Sequence, residues 1–181
     1  MKEESRQRLA AIARLCAETA IRGKALTVPA ESDPELTARG GAFVTLTAHG
    51  RLRGCLGVFA SDRPLYETVA AMAADAATAD PRFTFDRLTP EDLPDLEIEV
   101  SVLSPLRRIR SVEEIELGRH GIYLRRGRRS GCYLPEVAAE TGWTREEFLS
   151  SCADEKAGLP ADSWKDPATE IWIFTTEAIH S

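Results

Sequence analysis

The strictest hydrophobic pattern in the chain is Leu96–Leu103 (LEIEVSVL). Leu96, Ile98, Val100 and Val102 point one way and Glu97, Glu99 and Ser101 the other, which predicts a half-buried strand. Over residues 3–22, Leu9, Ile12, Ala13, Cys16 and Ala20 recur at helical spacing, and Gly23 supplies the stop. Ala42–His49 and Arg51–Phe59 read as two strands joined by a tight hairpin at His49-Gly50. In the second of these, alternation puts Leu52, Gly54, Leu56 and Val58 on one face and Arg51, Arg53, Cys55 and Gly57 on the other. Its interior glycines announce a bulge or a close backbone approach.

A second helix opens after Ser61 or Asp62 as cap, with Pro64 in its first turn, and stops before Asp80-Pro81. Its AAMAADAATA run is nearly all small, so it can pack close to a neighbour. Val28–Gly41 is rich in turn residues and reads as an exposed loop. Further on, Ser111–Glu114 and Thr144–Glu147 are capping boxes, Gly121–Leu124 and Gly131–Leu134 form a hairpin, Pro135–Thr141 is a helix ended by Gly142, and Ile171–Thr175 is a last strand. Helices with mainly hairpin-linked strands give an α+β fold.

At 181 residues the chain can bury roughly 70% of its unfolded surface, so it needs neither disulfide nor metal to fold. No apolar run reaches the length of a membrane span, and the charged, helical N-terminus has no signal-peptide pattern. With four widely spaced cysteines, this favours a reducing cytoplasm. His49, His120 and His180 form no metal-binding spacing, and no cofactor motif is present. Lysine is nearly absent: 19 of the 23 basic residues are Arg. Between Pro105 and Gly131, eight Arg face three Glu, a local +5 in a chain of net charge −6. That stretch reads as a solvated hairpin. RNA binding through it is disfavoured by the overall charge.

LRGCLG (52–57), DPRF (80–83), LEIEVSVLSP (96–105), HGIYL (120–124), LPEVAAETGW (134–143) and FLSSCADEKAGLPADSW (148–164) stand in one order. Together they resemble the AMMECR family, also called AmmeMemoRadiSam system protein A, over nearly the whole chain. The resemblance implies an α+β fold with a mixed or mainly antiparallel sheet and flanking helices. It implies one domain over residues 1–181, divided into a larger lobe holding both termini and a smaller one within about 60–95. It also implies radical SAM and Memo-like proteins as partners in a modification pathway. The chain departs from the family's GLLLPQV at Gly131–Val137, where Cys132, Tyr133 and Glu136 stand.

The site expected from these motifs is a cleft for an unknown small molecule. Arg53, Gly54, Gly57, Arg82 and Glu97 would bind it, Cys55 would be nucleophile or ligand, and Glu99 the base. Arg53 or Arg82 would neutralise the carboxylates and favour the Cys55 thiolate. The competing expectation is structural: a buried Cys55, Arg53 paired across the sheet with Glu97 or Glu99, and glycines that allow tight packing. A non-catalytic adaptor for the same partners is the alternative function.

Overall fold

The computed structural model describes residues 1–181. In chain order its regular elements are α1 (Glu3–Ile21), α2 (Pro34–Thr37), β1 (Ala42–Ala48), β2 (Arg51–Val58), α3 (Leu65–Thr78), β3 (Leu96–Leu103), β4 (Arg107–Arg108), β5 (Gly121–Arg126), β6 (Arg129–Tyr133), α4 (Pro135–Thr141), α5 (Arg145–Ser151), β7 (Glu170–Phe174) and β8 (Thr176–His180). They make an α+β fold with two four-stranded sheets, ordered β2-β1-β3-β8 and β4-β7-β5-β6. The chain divides into Met1–Leu103 with Glu177–Ser181, and Ser104–Thr176.

In the first unit, β1 pairs antiparallel with both β2 and β3. Ala42, Val44, Leu46 and Ala48 of β1 and Leu96, Ile98 and Val100 of β3 are buried in one cluster with the apolar faces of α1 and α3. Cys16 lies fully buried in the α1 stripe, a core residue as its spacing predicts. The alanines of α3 bring it so close that a Cβ at Gly54 would sit 2.1 Å from the Ala76 carbonyl oxygen. His49 and Gly50 adopt φ of 53° and 71°, the left-handed pair that a two-residue hairpin turn requires. Both termini belong here: the Met1 amine lies 3.1 Å from the Glu177 carboxylate, and Arg14 donates to the carbonyls of Leu96 and Ser181.

The stretch expected as an exposed loop instead contains α2. Asp33 accepts from the Glu35 N–H, Pro34 occupies the first turn, and Leu36 is fully buried. The cap expected at Ser61 or Asp62 does not form, because Pro64 occupies the cap position. Ser61 accepts from the Arg63 N–H in a local turn.

The second unit has its own cluster, built from Ile122 and Leu124 of β5, Ile171 and Ile173 of β7, Tyr133, and Phe148, Leu149 and Cys152 from α5 and the π-helical turn after it. The smaller unit is thus Ser104–Thr176. Residues 60–95, expected to hold the smaller lobe, lie in the larger unit because α3 fills its core. The arginines of 107–129 mostly face carboxylates: Arg107 pairs with Glu114, Arg108 and Arg125 with Glu170, Arg119 with Glu116, and Arg126 with Asp166.

Candidate functional site

The LRGC and DPRF motifs meet at one peptide. β2 is an edge strand, so the Cys55 N–H and C=O on its open side lack a strand partner. The DPRF turn supplies one. Asp80 Oδ2 accepts from the Cys55 N–H at 2.9 Å, and Arg82 Nη2 donates to the Cys55 carbonyl at 2.8 Å. The two side chains also bind each other at 2.7 Å. Pro81 sets the turn, and Asp80 caps it by accepting from the Arg82 N–H. Asp80 is buried. The Arg82 guanidinium, aided by the two backbone N–H groups, holds its carboxyl down to about 2. Asp80 in turn raises Arg82 above its ordinary value.

The clamp leaves the thiol on the polar face of the first sheet. Cys55 pairs with Thr45, which pairs with Glu99, so the three share a row across the strands. Thr45 Oγ1 donates to the half-buried Cys55 Sγ at 3.3 Å. The next row holds Leu52, Thr47 and Glu97, and Thr47 donates to the Glu97 carboxylate at 3.3 Å. Glu99 accepts from the Ser101 hydroxyl at 3.3 Å and lies 3.7 Å from His180 Nδ1. Thr45, Thr47, Glu97, Glu99, His180 and Ser181 line a depression of about 480 Å³.

Four of the expected site residues stand elsewhere. A bulge at Arg53 shifts the register between Leu46 and Thr47, so β2 does not alternate evenly. Leu52 turns outward, and Arg53 leaves the polar face. The Arg53 guanidinium is buried and bound by Asp92 at 3.2 Å, by Asp86 at 3.2 Å, and by the carbonyls of Asp86 and Arg87. Arg53 therefore pairs with neither Glu97 nor Glu99, and Arg82 is committed to Asp80. Gly54 faces α3. Gly57 lies under Phe43, whose ring a Cβ would meet at 2.3 Å. At both positions glycine permits a close approach that a Cβ would block. Cys55 and Glu99 do share the polar face, but with Thr45 between them they stand two strand spacings apart, about 10 Å. A direct thiol-to-carboxylate proton transfer is out of reach.

Thr45 and His180 are the members that sequence reasoning missed. Alternation in β1 marks Thr45 as outward-facing, a usable signal. His180 reaches Glu99 only through the pairing of β8 beside β3, fixed by reciprocal hydrogen bonds between Ile98 and Ser181. Burial pushes the Cys132 thiol up to about 11 and drives Cys152 higher still, against the opposing charge of Lys156. Lys156 itself lies over the Tyr133 ring.

The fold and site define an α+β protein of two antiparallel sheets, with a thiol on a polar sheet face held by an Asp–Arg clamp on its backbone. The chain belongs to the AMMECR1 family, whose model matches residues 10–179. It is 42% identical to protein NEQ441 of Nanoarchaeum equitans, over 92% of this chain and 94% of that one. It is 40% identical to protein TK0174 of Thermococcus kodakarensis, over 98% and 90%. The crystal structure of protein PH0010 from Pyrococcus horikoshii superposes with a TM-score of 0.85 at 37% identity, covering 98% of this chain and 92% of that one. No helix is long and apolar enough to cross a membrane.

Proposed function

We propose that the chain acts on a small molecule at the polar face of its first sheet, with Cys55 as the reactive or ligand-holding thiol. In this reading it is a component of a modification pathway alongside radical SAM and Memo-like proteins. The observation that carries the reading is the convergence of the two motifs on the Cys55 peptide, which fixes the backbone and leaves the side chain facing outward. A cysteine kept only for packing would not need its edge paired by a buried carboxylate and an arginine. The Glu99–His180 pair supplies a proton acceptor for a ligand long enough to lie across Thr45, with Glu97 and Thr47 in the adjacent row.

Alkylation of the native protein by iodoacetamide, mapped by mass spectrometry, tests this. Cys55 is expected to react first, while Cys16 and Cys152 stay unmodified until the protein is unfolded. A Cys55 that reacts only after denaturation would sink the proposal. A non-catalytic adaptor is the second reading, favoured by the fully exposed Phe85 and the exposed Leu52. Loss of partner co-purification on Phe85→Ser, with Cys55→Ala retaining it, would select that reading.

A further inference from the structure

A concavity of the second unit shares no residue with the Cys55 face. It is a cleft of about 680 Å³, within the ordinary range for small-molecule sites, lined by residues 108–112, 164–167 and 169–171. Its apolar lining residues are Ile109, Val112, Trp164, Pro167 and Ile171. The walls are held firmly. Ile109 N–H donates to the Ile171 carbonyl at 3.0 Å. Buried Thr169 donates to the Ser163 carbonyl at 2.6 Å. Trp164 Nε1 donates to Ser150 at 2.9 Å, which fixes the ring.

The charges in the lining are unequally engaged. Glu170 is taken by Arg108 and Arg125, at 3.1 and 2.7 Å. Asp166 is taken by Arg126 at 2.7 Å and by the Ala168 N–H at 2.8 Å. Arg110 and Lys165 are exposed cations with no carboxylate within ion-pair distance, and Lys165 Nζ sits 5.1 Å from the centre of the Trp164 ring. Preformed apolar walls beside two uncommitted cations suit a ligand with a flat apolar body and an anionic end.

From this we infer that the cleft binds a small organic anion, its body against Trp164, Ile109 and Ile171 and its carboxylate or phosphate met by Arg110 and Lys165. The probes are adenosine monophosphate and 1-naphthoate, titrated separately into the full-length protein and followed by amide and indole NMR shifts. At least one is expected to give saturable shifts confined to 108–112, 164–171 and the Trp164 indole; which one does so separates a phosphate from a carboxylate ligand. The neutral counterparts, adenosine and 1-naphthalenemethanol, should bind about tenfold more weakly, and R110Q or K165Q should each cost about tenfold for the anion, as expected for losing a hydrogen bond to a charged group. Both variants change exposed side chains, and their amide spectra report that the fold is intact. Absence of saturable shifts with either anion up to about 5 mM would overturn the inference. So would equal binding of the neutral compounds, or unchanged affinity in both variants.

Discussion

Asp80 carries two tasks with one carboxylate: it accepts from the Cys55 N–H and anchors Arg82. Its pKa is about 2 in the folded chain, against an ordinary value near 3.9 in the unfolded one. A lowered carboxyl stabilises the fold fully above the unfolded pKa, and that contribution is lost as pH falls through the folded one. Asp80 should therefore contribute about 2 kcal/mol at neutral pH, progressively lost between about pH 5 and pH 2. Urea unfolding of the wild type and of Asp80→Asn across that range checks this. The variant should start less stable and show a correspondingly shallower acid loss at low pH; parallel curves would refute the assignment. Gly54 permits a second test. An added methyl there collides with helix backbone rather than a movable side chain, so Gly54→Ala should cost about 2–3 kcal/mol. The same change at Gly50 would be read against backbone conformation alone, because nothing lies within 4 Å of a Cβ there.

At the scale of elements, the bulge in β2 decides what Arg53 does. A guanidinium that would have faced the carboxylates of β3 instead pins the segment that follows the DPRF turn, through Asp86, Arg87 and Asp92. Arg53→Ala should cost about 3 kcal/mol, because it leaves Asp92 and two carbonyls without their buried partner. It should also speed amide exchange through residues 84–92. The exposed Arg107–Glu114 pair is the control, and Arg107→Gln should stay within about 0.5 kcal/mol. Equal effects from the two substitutions would mean that Arg53 is not the pin. The same bulge marks where legibility from sequence ended. Alternation located β1, β2 and β3, and capping chemistry located the turns at Ser111 and Thr144. The glycines in β2 announced a bulge or a close approach, and both are present, but they could not say that α3 was the neighbour. A single extra residue reverses every face assignment on one side of it, and the glycines that announce a bulge do not say which residue is the extra one. The Asp33-Pro34 start of α2 was readable as a cap and first-turn proline, and the surrounding turn residues masked it. β4, at two residues, is too short for any periodicity to register.

Across the whole molecule, the order of elements along the chain and their membership in the two cores disagree, and this makes a sharp prediction. β7 and β8 are separated by one residue, yet β7 lies in the sheet of the second unit and β8 beside β3 in the first. Ser104–Thr176 is in effect an insertion between two neighbouring strands of one sheet. The clusters around Leu46 and around Phe148 share no residue, and both side chains are fully buried. Phe148→Ala should cost about 3–4 kcal/mol and Leu46→Ala about 3 kcal/mol. Each should open amide exchange mainly in its own unit, as cooperative subunits of a fold do. The discriminating amides are those of 177–181. They follow β7 directly in sequence, but β8 pairs with β3, and Glu177 is engaged by the Met1 amine and by Arg6. They should therefore lose protection in Leu46→Ala and keep it in Phe148→Ala. If 177–181 exchanges with β7 instead, or if either substitution accelerates exchange evenly from end to end, the two cores unfold as one and the division into two units has no energetic meaning.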